Sequence, residues 1–95
     1  MIGKIASDLF DIVAQCHEGP ADGDMKLIHK YLKQMQENLP EIQDEEFHYY
    51  ASDFVEKWLA PGAIENDFEV FAAETNEITV EFGNEGFFND IDEEE

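Results

Sequence analysis

The side chains able to do chemistry in this chain are overwhelmingly carboxylates: 24 Asp and Glu stand against five Lys and no Arg, for a formal net charge of −19 over 95 residues. Carboxylates can act as a general acid and base, ligate a cation, or face a cationic surface. The first two need a few acids gathered around a pocket or a turned loop. The acids here instead follow one another at helix and strand spacings, as a solvated surface does.

Nucleophilic catalysis is equally poorly served. A cysteine nucleophile needs an oriented base, and Cys16 has His17 as its neighbour, which on a helix does not face it; the other histidines are His29 and His48. The three histidines lack the paired spacing of zinc ligands. Asp22-Gly23-Asp24 reads as a turn and helix cap, and Asp90, Asp92 and Glu93 lack the glycine-turned loop of a calcium site. The expectation is no enzyme, no cofactor and no metal site.

The charge is unevenly placed. Residues 1–40 hold six acids and four lysines, a net of −2; residues 41–95 hold 18 acids and one lysine, Lys57, a net of −17. A small domain is comfortable with a net charge of magnitude about 2–8, and excess like charge opposes folding. Such a surface repels phosphates, so nucleic acid is not a direct partner, and it disfavours anionic membranes. A lone cysteine and the absence of a long apolar run fit a cytoplasmic protein.

Three helical patterns position the first part of the chain. Ile2, Ile5, Ala6, Leu9, Phe10, Val13 and Cys16 recur every three or four residues, predicting a helix over 2–17 that Gly19-Pro20 stops. Asp22 or Asp24 caps a second helix carrying Met25, Ile28, Tyr31, Leu32, Met35 and Leu39, with Lys26, Lys30 and Lys33 opposite; Pro40 ends it. A third starts near Gln43 or Asp44, with acids in a first turn where the helix dipole favours them. Its buried stripe runs through Phe47, Tyr50, Ala51, Phe54, Val55, Trp58 and Leu59.

Beyond Pro61-Gly62 the period changes to two. Phe68, Val70 and Ala72 alternate with Asp67, Glu69 and Phe71; after Thr75-Asn76, Ile78, Val80 and Phe82 alternate with Glu77, Thr79 and Glu81. This predicts an antiparallel β-hairpin with its acidic face outward. The whole is expected to be one α+β domain over 1–88, three helices then a hairpin, followed by a flexible acidic tail over 89–95.

A partner-facing surface follows from that layout: Asp44, Glu45, Glu46, Tyr49, Asp53 and Glu56 on the third helix; Asp67, Glu69, Glu77 and Glu81 on the hairpin; Asp90, Asp92 and Glu93 on the tail. Phe71, ringed by acids on the outer strand face, is expected to be an apolar anchor. Rows of carboxylates at these spacings resemble rows of phosphates. The expected partner is therefore a basic DNA-binding protein or nuclease complex, met as a monomer or homodimer.

The run Phe47-His48-Tyr49-Tyr50-Ala51-Ser52-Asp53-Phe54 resembles the His-Tyr-Tyr-Ala-x-x-Phe stretch of the phage restriction-overcoming proteins, acidic DNA mimics that also end in a run of acids, as here at Asp92-Glu93-Glu94-Glu95. Small acidic anti-CRISPR proteins share the character without a common fold. The resemblance implies an inhibitor occupying the DNA site of a host restriction or CRISPR nuclease, acting in the host cytoplasm if phage-encoded. An immunity or antitoxin protein against a cationic nuclease toxin, and a generic acidic regulatory protein, fit the same residues.

Overall fold

The computed structural model describes residues 1–16 and 19–88. Five helices account for most of them: α1 (Ile2–Ala14), α2 (Asp22–Glu37), α3 (Glu45–Leu59), the single turn α4 (Ala63–Asn66) and α5 (Phe68–Asn84), with a 3-10 turn at Leu39–Glu41 between α2 and α3. No β-strand occurs among the described residues. The expected α+β class is therefore corrected to all-α, and the expected hairpin is a single helix of 17 residues.

The buried stripes of α1 to α3 follow the sequence reading, but α1 ends at Ala14, short of the expected residue 17, and the caps differ in detail. Asp44 caps α3, its Oδ1 accepting the Phe47 amide at 3.1 Å, as a side-chain N-cap does. In α2 the N-cap is Ala21 rather than an aspartate; Asp24 reaches back from the first turn and accepts the Ala21 amide at 3.3 Å. The Ile2 amide and the Met1 amine both donate to Glu41 Oε1 at 3.0 Å, so the 3-10 turn supplies the carboxylate that α1 lacks in its own first turn. The bond from Ile2, with help from the amine, holds the Glu41 carboxyl below its ordinary range.

A second period runs through 68–84 beneath the alternation. Phe71, Thr75, Ile78 and Phe82, spaced four, three and four, are all fully buried, and that is the stripe of a helix. Val70 and Val80, expected on the inner strand face, are instead 46% and 54% exposed. The physical reason favours the helix: a lone hairpin leaves two unpaired edges, whereas a helix satisfies its backbone internally and buries both phenylalanines against α3. The β-branched Thr79 is accommodated by donating its hydroxyl to the Thr75 carbonyl at 2.7 Å.

Gly83 and Gly86 terminate α5. Gly86 is left-handed (φ 89°), its amide bonds the Gly83 carbonyl, and the Phe87 amide bonds back to the Phe82 carbonyl at 3.0 Å. This is a Schellman motif. It folds Phe87 onto Phe82 (ring centroids 5.3 Å apart, edge to face) and over α1. There the backbone of Gly3 comes so close that a Cβ would lie 2.6 Å from the Phe87 carbonyl oxygen.

The four long helices close a ring in which α1 and α3 each pack against both α2 and α5. One core fills it, from Ile2, Leu9, Ile28, Leu32 and Met35 on one side to Phe47, Phe54, Trp58, Phe71 and Phe82 on the other. The α3 and α5 axes run antiparallel: Phe47, near the start of α3, meets Phe82 near the end of α5 (4.8 Å), and Trp58 meets Phe71 (5.2 Å).

Candidate functional site: an acidic groove between α3 and α5

Aromatic rings fill the α3–α5 interface and hold these two helices apart, with few close backbone approaches between them. On the solvent side the gap becomes a groove of about 540 Å³. Asp44 and Glu46 stand on its α3 wall; Glu77, Glu81 and Glu85 stand on its α5 wall. Along α5 these three recur every four residues, so they form a row with roughly 6 Å of axial rise per step. Tyr50 and Phe47 line it from α3, and Asn76 and Val80 from α5.

The acids on the two walls have different standing in the fold. Asp44, Glu45 and Glu46 sit at the N-terminus of α3, where the dipole favours negative charge. Glu81 and Glu85 sit at the C-terminus of α5, where the dipole is itself negative, and the last turn contains no basic residue. Their placement works against helix stability. The Tyr50 phenol registers the field: partial burial, then the charges of Glu77, Glu74 and Glu81, push its pKa above the ordinary tyrosine value.

Neutralisation is spent elsewhere. Lys57, the one lysine of residues 41–95, bonds Glu74 at 2.8 Å and lies 4.8 Å from the Trp58 ring centre. The Trp58 Nε1–H donates to the other oxygen of the same carboxylate at 2.9 Å. Partial burial would raise the Glu74 carboxyl, but the Lys57 and Trp58 bonds outweigh it and hold the pKa below its usual range. Across the ring, Lys26, Lys30 and Lys33 line a shallow depression on α2 with His29, Gln34 and Glu37. The molecule is thus polarised between an α2 flank bearing lysines and an acidic α3–α5 flank.

The residues expected to face a partner are divided by the structure. Asp44, Glu46, Glu77 and Glu81 meet in the groove. Glu45, Tyr49, Asp53 and Glu56 are exposed along the outer face of α3, Tyr49 at 76%. Asp67 and Glu69 are exposed where α5 begins, roughly 18 Å of helix from Glu81, and do not join the groove. Asp90, Asp92 and Glu93 lie outside the described residues.

Phe71 requires correction. Expected as an exposed anchor, it is fully buried, in ring contact with Phe54, Trp58 and Phe68. On a strand it would share the face of Asp67 and Glu69; on α5 it shares the stripe of Thr75 and Ile78. Tyr50 is the converse, placed in the buried stripe by the sequence reading yet 38% exposed. Glu85 was missed for the same reason: a period of 3.6 applied from Phe68 onward puts Glu77, Glu81 and Glu85 on one flank, with Val80 on the outer face beyond them.

Among the described residues, no three His, Cys, Asp or Glu side chains gather as a metal-ligand set, and no helix is long and apolar enough to cross a membrane. Cys16 is buried, and desolvation, with the neighbouring Asp24 charge, raises its thiol pKa. No protein-family model matches the chain, and neither a curated protein nor a solved structure shows significant similarity to it.

Proposed function

We propose that this protein is an inhibitor that mimics DNA, presenting the α3–α5 flank to the cationic DNA-binding site of a defence nuclease complex in the cytoplasm. The observation that carries this reading is the groove, which five carboxylates from two helices line while Lys57, the one lysine of residues 41–95, is engaged by Glu74. The groove extends over the nine residue steps from Asn76 to Glu85, about 14 Å of helix. Along the α5 wall the acids recur about every 6 Å, and the α3 wall adds two more, so two rows of negative charge run side by side as the two strands of a duplex do. Glu81 and Glu85 are placed against the dipole of their own helix, so a role outside folding accounts for them better than stability does.

Electrostatic steering would accelerate association with a basic partner and make it salt-dependent. The test is capture of binding proteins on the immobilised chain, followed by elution with duplex DNA. Release of a nuclease or its DNA-binding subunit by DNA supports mimicry; retention of every captured protein in the presence of DNA overturns it. Charge reversal supplies the control on position. Glu77→Lys with Glu81→Lys should weaken capture by at least about tenfold, and Asp8→Lys with Asp11→Lys should change it little. Capture of a single nuclease toxin would select the immunity reading.

A further inference from the structure

The five lysines are used unequally. Lys4 pairs with Asp8 at 3.5 Å and Lys57 with Glu74 at 2.8 Å. Lys26, Lys30 and Lys33 are exposed on α2 and enter no ion pair among the described residues. Turning about 100° per residue, α2 projects them from the side opposite its buried Ile28, Leu32 and Met35. Asp22 and Glu37 lie on the same strip, so it reads acid, three lysines, acid over about 22 Å of helix. Lysines placed to relieve the chain's self-repulsion would stand among the 18 acids of residues 41–95, which have one. Lys30 instead has Lys26, Leu27, Lys33 and Gln34 three and four residues away, with no acid among them.

α2 lies across the ring from α5, and a Debye length of about 8 Å at physiological salt lets its outer face act independently of the acidic flank. Charge complementarity asks for an anion there. Nucleic acid is a poor occupant, because phosphates recur every ~3.4 Å along a strand and would meet Asp22 and Glu37 at the two ends of the row. A second copy of the chain brings a further net charge of −19 with it. A short protein segment can place carboxylates only where the lysines stand. Acids at i, i+4 and i+7 of a helix share the rises of Lys26, Lys30 and Lys33, and a basic residue beyond each end meets Asp22 or Glu37.

We propose that the outer face of α2 docks a short acidic helix of a partner protein, with three carboxylates against Lys26, Lys30 and Lys33 and a basic residue at each end against Asp22 and Glu37. This docking does not depend on the role of the acidic flank. The two terminal acids supply its specificity, since they repel an anion that continues past the lysines.

Exposed ion pairs are individually weak, so the test is an NMR titration of the isotope-labelled protein, which also locates the contact. Three ligands are compared at about 0.15 M salt. One is a helical peptide of about four turns with a Lys-Glu-Glu-Glu-Lys order at the spacing of the α2 face. The others are the same composition with its charges rearranged, and a single-stranded DNA of similar length. The spaced peptide is expected to shift the amides of residues 26–33 and to bind there roughly tenfold more tightly than the rearranged one, while the DNA leaves them unmoved. Lys30→Gln with Lys33→Gln should weaken the spaced peptide about tenfold; Glu77→Gln with Glu81→Gln should leave its affinity unchanged. Equal affinity of the two peptides at α2, or indifference to the lysine substitutions, would overturn the docking of an acidic helix. So would the absence of any shift on α2, or DNA binding this face as tightly as the spaced peptide, which would assign the lysines to phosphate.

Discussion

In α1 and α2 the core is built from Ile2, Leu9, Val13, Ile28, Leu32 and Met35, and the surface carries nearly balanced charge. In α3 to α5 the core is built from Phe47, Phe54, Trp58, Phe71 and Phe82, and the surface is almost entirely anionic. Seven of the eight phenylalanines and the tryptophan lie beyond residue 40, in the part of the chain that must fold against its own repulsion. Rings bury more area per residue than aliphatic side chains, and edge-to-face pairs add about 0.5–1.5 kcal/mol each. The contrast teaches that a dense carboxylate flank needs a stronger core beneath it, and that the wide spacing imposed by aromatic rings also opens the groove.

The strongest way to break this comparison is to remove the ring at the centre of the acidic half. Phe71→Ala should cost about 3–5 kcal/mol, a large share of a small domain's stability, measured as a fall in the urea midpoint. Val80→Ala on the same helix should stay within about 0.5 kcal/mol. Similar losses for the two would mean that 68–84 does not form the helix described.

A smaller effect tests the acid that Lys57 neutralises. Because the Glu74 pKa is lower in the folded than in the unfolded state, its bonds to Lys57 and Trp58 contribute fully above the ordinary glutamate range. The contribution fades as pH falls through the lowered folded value. Glu74→Gln should therefore lose about 1 kcal/mol near neutral pH and progressively less on acidification, followed by urea unfolding monitored through Trp58 fluorescence. A loss independent of pH would show that packing, not charge, is what Glu74 supplies.

The smallest effect sharpens the contrast between the halves. Like charges at i and i+4 destabilise a helix by a few tenths of a kcal/mol, so Glu77→Gln with Glu81→Gln should stabilise the fold by roughly 0.5 kcal/mol at low salt. The gain should shrink as salt screens the groove. Lys30→Gln with Lys33→Gln on α2 should give no such gain. Equal responses at the two flanks, read from thermal midpoints, would remove the electrostatic distinction between them.

Much of the fold was legible where one period dominated. Ile2, Leu9 and Val13 in α1, Ile28, Leu32 and Met35 in α2, and Phe47, Phe54 and Trp58 in α3 are buried as their spacing indicates, and Asp44 caps α3 where the first-turn acids point. Residues 68–84 carry two periods at once. Val70, Ile78, Val80 and Phe82 satisfy alternation; Phe71, Thr75, Ile78 and Phe82 satisfy the helix. Valine and threonine favour strands locally, and the bias was resolved by what each arrangement could bury.

The concentration of net negative charge in residues 41–95 was determined by the sequence, because charge is a property of composition and position along the chain. Only the tertiary structure decided its shape. It turned the supposed hairpin into a helix, withdrew Phe71 into the core, brought Glu77, Glu81 and Glu85 opposite Asp44 and Glu46, and left Tyr50 part-exposed beside them. The physical reason is that period sets which residues share a face, but the partner helix decides which face is buried and how far apart the walls stand.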